Sequence, residues 1–582
     1  MAPDPASLVL TKQRKCTSRV RSGCRTCKIR RVKCDEQRPS CAKCTSSGRA
    51  CDGYGIWGEP MGALAKPRPQ PSSVFYPPQS LPGLSQEEKG HLHRFRHFVA
   101  SRLAQPFGSY FWTSLVLQIS LSEPAVVHAS IALTCAYEIF LPSRDRITSH
   151  PTPNLSFLLR QYNRAIRALT SKVELSDPAS LQTAAVSSIL FVCLETLRGD
   201  PNATHAHFSS GVKILSQLQH RQERSPSKDD IILVKDDPQI YDDYLVDVFA
   251  QLNLQFLMLG NSSQLKETFV TPFYHGQRVH IPPRFRSSEE ARRSFGSIIL
   301  AATYLCKEFE RATLTSDIRA PEPSVADTEK QEALQSAMLG WIASYDRSID
   351  SLLPSASHGE RFGLMMLRVY ADACTIIIGT CLTIKETAYD PYNTEFESII
   401  KRYRELPGEG PGPQSTWEPG VCKLDPCFTI DTGMFPPLYF TAIKCRNHAI
   451  RNQALSLLRQ YPTMEGPWTG PMLARAAGYV VELEEKHFVK ALRSSPVEPD
   501  FGPSPQPGIN GSKASSTTAA VVLPEFCRIH CVECRLPSRY SGEPNVAKLT
   551  LKRFRHELGK SGGWSVTNPE VDLSGVRQMS RS

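Results

Sequence analysis

The sequence predicts two unlike parts: a small metal-folded module near the amino terminus and a large all-α domain behind it, joined by a proline-rich linker. Three observations carry that expectation. Six cysteines lie within residues 24–51 in a spacing that repeats, seven prolines interrupt residues 60–82, and from Ser85 onward apolar residues recur with a period near 3.6. At 582 residues, 41% hydrophobic and 21% charged, the chain is long enough for a small module plus one large or two medium-sized domains with a packed core.

The first element is basic. Residues 12–51 hold 13 Lys/Arg and two Asp/Glu, a balance of +11, which equals the net charge of the whole chain. All the excess positive charge therefore sits in forty residues, the electrostatic footprint of a polyanion binder. Residues 1–19 are expected to form a disordered basic arm. Its Arg14, Lys15 and Arg19, with Arg21 just beyond, suit DNA-backbone contacts or an import signal. The opening residues do not resemble a secretory leader, and no contiguous apolar run approaches the ~18–20 residues that span a bilayer. Residues 184–194 and 375–384 are the longest such runs, and both are expected to be buried helix.

The module proper is expected over residues 20–55. Its cysteines are Cys24, Cys27 and Cys34, in the pattern C-x2-C-x6-C, followed by Cys41, Cys44 and Cys51 in the same pattern seventeen residues later. Clustering of this kind, in a chain without an evident export signal, favours metal over disulfides. A Cys-x2-Cys step lets two thiolates converge on one tetrahedral zinc ion at ~2.3 Å. Six thiolates supply four ligands to each of two ions only if two sulfurs are shared. The symmetry of the repeat assigns that sharing to Cys24 and Cys41. Both ions would then be fully coordinated, hence structural rather than catalytic. The halves match in spacing but not in charge: four of the six residues between Cys27 and Cys34 are basic, against one of six between Cys44 and Cys51. The first half should face nucleic acid. Two bound zinc ions on six thiolates would lower the module's charge from +11 to about +9, still strongly basic.

The run Cys24-Arg-Thr-Cys-Lys-Ile-Arg-Arg-Val-Lys-Cys34, followed by Asp-Glu-Gln-Arg-Pro-Ser-Cys41-Ala-Lys-Cys44, resembles the fungal binuclear zinc-cluster transcription factors, with Pro39 at the place of the proline between the halves. The resemblance implies two short helices around a two-zinc cluster and binding to double-stranded promoter DNA in the nucleus. It also implies that Arg30 and Arg31 stand where the family reads bases, commonly a CGG-type triplet. Lys28 and Lys33 then fall to phosphate contacts, with Arg25 and Arg21 beside them. A Lys or Arg entering the major groove donates to guanine O6 and N7.

Residues 56–84 are rich in Pro, Gly and Ser and contain no heptads, so they are expected to be a semi-rigid linker. Many relatives place a dimerisation coiled coil here; the prolines break such a helix. Homodimerisation, if it occurs, falls to the large domain.

That domain is expected over residues 85–493. Leu92, Phe95, Val99 and Leu103 line the first helix, with Ser85 as N-cap and Glu87 and Glu88 in its first turn. Further helices are expected over residues 112–121, 124–140, 155–174, 179–198, 203–220, 240–259, 288–312, 327–353, 359–385, 392–405, 434–459 and 470–493. Residues 112–128, 161–169 and 194–215, together with Cys51-Asp-Gly-Tyr-Gly55, resemble the fungal-specific regulatory domain of the same factors. This implies a helical domain that meets co-regulators or the transcription machinery and sometimes a small-molecule effector. Residues 494–518 are expected to be a disordered insert, 519–557 further helices, and 558–582 a disordered tail.

Several other signals carry less. On a helix, Cys527, His530, Cys531 and Cys534 would share one face but spread over about 10 Å, too far for one ion, and are expected to pack. His128, His205 and His207 are expected to pack or cap. No P-loop, dinucleotide fingerprint, HExxH or nucleophile elbow appears, so no enzyme activity is expected. The chief alternative is a zinc-cluster interaction or ligand-sensing module with little DNA specificity. A thiol-rich zinc buffer is disfavoured because the basic residues crowd one half only.

Overall fold

The computed structural model describes residues 24–37, 40–49, 51, 83–104, 109–140, 154–173, 177–222, 231–259, 268–272, 280–315, 322–406, 428–430, 433–461, 463–494, 523–540, 545–555 and 563–573. The arm, the linker and the 494–518 insert, except Leu84 and its neighbour Gly83 at one end and Ser494 at the other, lie outside these residues, as do Cys16, Cys422 and Cys427. The chain divides into two compact units, Met1–Gln70 and Pro71–Ser582.

The smaller unit holds α1 (Arg25–Ile29) and α2 (Ala42–Thr45), each beginning directly after the first cysteine of its half. The backbone repeats with the sequence. Val32 N–H donates to Cys27 O at 3.1 Å, and seventeen residues on, Arg49 N–H donates to Cys44 O at 3.0 Å. The turn that closes each helix is left-handed, at Arg31 (φ +57°) and at its counterpart Gly48 (φ +66°).

In the larger unit, α3 (Gln86–Arg94) starts at Ser85 with a full capping box to Glu88. It runs into a π-helical turn, Phe95–Val99, and then α4 (Ala100–Leu103). A second π turn, Phe111–Leu115, leads into α5 (Val116–Ile119). Four long helices follow: α6 (Pro124–Phe140), α7 (Leu155–Val173), α8 (Pro178–Arg198) and α9 (Pro201–Gln222), packed in succession. Asp177 caps α8 through Ala179 N–H and Ser180 N–H, Pro178 opens it, and Gly199 (φ +78°) ends it.

The largely buried α10 (Tyr241–Met258) contacts this layer and also α11 (Ser288–Thr315). Next come α12 (Val325–Leu352), α13 (His358–Thr380) and α14 (Asn393–Glu405), then α15 (Phe435–Lys444), α16 (His448–Gln460) and α17 (Gly470–Ser494). The single helix expected over 434–459 is two, because Asn447 breaks the run and caps α16 through Ala449 N–H and Ile450 N–H. By length and composition α8 and α13 are apolar enough to cross a bilayer, which contiguous apolar runs did not reveal. Their apolar windows are 94% and 72% buried inside the protein, so they serve as core helices.

The unit is not all-α. Short strands β1 (Ile231–Leu233) and β2 (Thr268–Val270) pair in parallel. β3 (Phe428–Thr429), β4 (Met464–Glu465) and β5 (Trp468–Thr469) form a second small sheet. The larger departure lies at the carboxyl end. Residues 519–557, expected to be helical, contain β6 (Cys531–Arg535) and β7 (Val546–Arg555), and the expected tail contributes β8 (Gly563–Thr567) and β9 (Glu570–Asp572). All pair antiparallel around β7. The reason is alternation: Ala547, Leu549 and Leu551 are buried while Lys548 between them is exposed, a two-residue period that a helix does not satisfy. Cys531 and Cys534 accordingly lie on a strand, not on a shared helix face.

Charged groups bolt the sheet to the helices. Arg528, fully buried, donates to both carboxylate oxygens of Asp390 at 2.6 and 2.7 Å and to Glu386 O at 2.9 Å. Glu484 on α17, also fully buried, accepts from Arg446 at 2.9 Å, from Arg451 at 2.7 Å and from Ile529 N–H at 2.7 Å. Burial pushes the Glu484 carboxyl up, but the two guanidiniums outweigh it and hold it below its ordinary 4.5. A depressed carboxyl pKa stabilises fully above the unfolded value and less as pH falls through the folded one. Glu484→Gln should therefore cost about 3–5 kcal/mol at neutral pH, seen as a lower urea midpoint. The gap between wild type and variant should shrink only below about pH 4.

Candidate metal centre and nucleic-acid interface

The repeated helices bring all six cysteine sulfurs together. Two quartets, Cys24/Cys27/Cys34/Cys41 and Cys24/Cys41/Cys44/Cys51, each have their sulfurs within 4.8 Å of one another. Cys24 and Cys41 belong to both. Individual separations are 3.5 Å for Cys24–Cys41, 3.7 Å for Cys24–Cys44 and 3.6 Å for Cys27–Cys41. A tetrahedron with ~2.3 Å zinc–sulfur bonds has an edge of ~3.8 Å, so the cage has the size zinc requires. None of the six is in a disulfide.

The cage is built from both halves alike. Cys24 N–H points at Cys34 Sγ (3.4 Å), and Cys41 N–H points at Cys51 Sγ (3.5 Å). Such N–H···S contacts favour thiolate over thiol. Burial acts the other way, pushing the Cys24 and Cys27 thiols above the ordinary 9.0 and Cys41 up to about 12. Without a cation these sulfurs stay protonated at neutral pH, so filling the site with metal must release protons.

Residues 22–56 match the model of the fungal Zn(2)-Cys(6) binuclear cluster domain. The module belongs to that family. Two zinc ions on its cysteines are its cofactor, supplying structural cross-links rather than an open catalytic position.

Beyond the cluster, the chain is similar to the aspercryptin biosynthesis cluster-specific transcription regulator atnN of Emericella nidulans. The two are 22% identical over 566 residues, covering 80% of this chain and 88% of that one. Transcription regulator lscL of Purpureocillium lilacinum is 26% identical over 214 residues, 35% of this chain and half of that protein. Sterol uptake control protein 2 of Candida albicans is 52% identical over 52 residues, 9% of this chain and 7% of that one. No solved structure matches the chain significantly.

Around the zinc cluster, the basic residues divide. Arg31 and Lys33 are exposed. Arg30 instead turns back across the cluster domain, donating to Ser47 Oγ at 2.9 Å and Lys43 O at 3.4 Å. Arg25 and Lys28 lie on α1, and Arg21 is outside the described residues. Two residues escaped the sequence reading. Ser47 receives Arg30, and Asp35 accepts from Lys43 N–H at 2.8 Å and Ala42 N–H at 3.2 Å, tying the start of α2 to the first half. Slight burial raises the Asp35 carboxyl, but the N–H donors of Gln37, Lys43 and Ala42 outweigh it and hold it below 3.8. Its signal was present: Cys-Asp recurs at Cys34-Asp35 and Cys51-Asp52.

The other candidate ligands are occupied elsewhere. His128 Nδ1 lies 2.8 Å from Gln161 Oε1, His207 Nε2 lies 2.8 Å from Tyr162 OH, and His205 Nε2 lies 3.4 Å from Ser209 Oγ. His530 Nε2 is 3.0 Å from Glu525 Oε1. Because zinc and protons compete for the same six sulfurs, a strong chelator should abolish the α1 and α2 helicity of a residues 1–70 fragment, checked by circular dichroism. Zinc release should also begin at higher pH as chelator concentration rises.

Proposed function

We propose that this chain is a nuclear, sequence-specific DNA-binding transcription regulator of the fungal type, governing a metabolic or secondary-metabolite gene set. The observation that carries the reading is the six-sulfur cage in a domain of the Zn(2)-Cys(6) family, with the basic residues crowded into one half of its sequence. The naming of atnN and lscL as transcription regulators supports it, and atnN's name as a biosynthesis-cluster regulator supports the gene-set assignment. The likeness to atnN covers 80% of this chain, far more than 35 cluster residues, which supports reading the helical unit as the regulatory domain of such factors. No catalytic step is assigned to any residue.

In the proposed complex Cys24 and Cys41 bridge the two zinc ions, since each lies in both quartets. The end of α1 enters the major groove at a CGG-like triplet. Arg31 reads a guanine, Lys28 and Lys33 meet phosphates with Arg25 and Arg21, and Arg30 first braces the two halves through Ser47. This division of labour differs from an equivalent Arg30/Arg31 pair, and Arg30's hydrogen bonds are the reason for it.

Arg31 offers a clean test because of its backbone. A non-glycine residue at φ +57° pays about 1–2 kcal/mol that glycine does not. Arg31→Gly should therefore keep its zinc and its fold while losing ~1–3 kcal/mol of discrimination at one base, measured by selection on randomised DNA. Equal weakening on every sequence would remove Arg31 from base reading. Arg30→Ala should instead lower the melting temperature of the cluster domain and weaken binding to all sequences alike.

Elemental analysis tests the bridging pair. Cys27→Ala should retain about one zinc per chain, whereas Cys24→Ala and Cys41→Ala should retain none, because each removes a ligand from both ions.

A further inference from the structure

A cavity of about 280 Å³ lies where the helices of the larger unit meet the carboxyl-terminal sheet, just under the ~300–1,000 Å³ of typical small-molecule sites. Its walls come from α11, the end of α13, α15, and strands β6, β7 and β8. Most of the lining is apolar, including Phe309, Ile377, Phe440, Ile443, Val532 and Trp564.

Four residues with cationic or protonatable side chains line this space, Lys307, Lys444, Lys552 and His530, together with two carboxylates, Glu310 and Glu386. Three are held by protein carboxylates. Lys444 Nζ donates to Glu386 at 2.6 Å, Lys552 Nζ donates to Glu533 at 2.9 Å, and His530 Nε2 lies 3.0 Å from Glu525. Lys307 has neither a hydrogen bond nor an ion pair among the described residues. Glu310, one turn along α11, acts on it only across space. Burial draws the Lys307 ammonium down to about 8 despite that pull, as expected for a desolvated cation without a contact partner.

We propose that this cavity is an effector site for a small, mainly apolar molecule bearing one acidic oxygen group, whose anion pairs with Lys307. The apolar walls accept the body of such a ligand, and Lys307, the cavity ammonium left uncommitted among the described residues, supplies a charge-assisted hydrogen bond. A neutral molecule of the same shape would leave the partly buried Lys307 without a counter-charge, and a cation would forgo that contact. A carboxylate and an enolate or phenolate share this chemistry. The occupant would touch α11, α13 and α15 on one side and β6–β8 on the other, so its binding would favour the docked sheet by mass action. Binding itself is independent of DNA recognition; only its consequence for transcription rests on the proposed function.

The test uses the full-length zinc-loaded protein without DNA, titrated calorimetrically with 2-naphthoate, 4-hydroxycoumarin (an enolate) and the uncharged 2-naphthamide. The two acids should bind at least tenfold more tightly than the amide. Lys307→Met should erase that preference while leaving the amide's affinity unchanged, and Lys307→Arg should preserve it. Thr303→Phe, which fills the cavity from α11, should abolish binding of all three. If Lys307→Met fails to fold, Lys307→Arg, Thr303→Phe and the acid–amide comparison on wild type decide the question. Preference for one acid over the other identifies the headgroup and supports the site. Equal affinity of acids and amide, acid binding that survives Thr303→Phe, or no saturable acid binding at millimolar concentration would overturn the proposal. Selection on randomised DNA with the same sample reports separately on DNA recognition.

Discussion

Six cysteine sulfurs must serve two ions that each require four, and that shortage organises the amino-terminal unit. The proposed sharing of Cys24 and Cys41 would require the two halves to approach symmetrically, and the seventeen-residue repeat in sequence is matched by a repeat in backbone. The same N–H···S contacts, the same turn-closing hydrogen bonds and the same left-handed residue occur in each half. Thirty-odd residues cannot bury enough apolar surface to fold by hydrophobic packing alone, and metal–thiolate bonds replace the missing core. Once that scaffold is set, the halves are free to differ on their outer faces. One carries the basic residues; the other supplies Ser47 and the Lys43 carbonyl that hold Arg30.

The larger unit is held together by different physics. Long helices such as α8, with nearly every residue buried, form its core, and hydrophobic burial dominates there. The carboxyl-terminal sheet is attached instead through charged contacts centred on the fully buried Arg528 and Glu484. Arg528 grips Asp390, and Glu484 binds Arg446, Arg451 and the backbone before β6. Buried pairs of this kind add little net stability over apolar contacts, but each demands its own partner. They fix where the sheet sits, and the cavity around Lys307 exists because the sheet sits there.

The metal centre was legible in the sequence because ligand spacing is local: Cys24 to Cys51 span 28 residues, and tetrahedral chemistry leaves few ways to arrange them. The long helices were legible for a similar reason, since a 3.6-residue period and caps such as Ser85 and Asp177 act within a few residues. The carboxyl-terminal sheet was missed because the i, i+3, i+4, i+7 spacing of Cys527, His530, Cys531 and Cys534 imitates a helix face. The true period of two in β7 had no visible partner, for strand pairing is long-range. The hydrogen bonds of Arg30 to Lys43 O and Ser47 Oγ were not legible because those acceptors lie thirteen and seventeen residues away. The Lys307 cavity depends on at least six helices and strands at once, and no short window of sequence contains it.

The most direct test of the shared-sulfur arrangement is zinc K-edge X-ray absorption on the purified, reduced full-length protein. The account predicts a first shell of four sulfurs at ~2.3 Å with no nitrogen or oxygen, together with a zinc–zinc scattering path. A nitrogen or oxygen ligand in the first shell, or an all-sulfur shell with no zinc–zinc path, would contradict it.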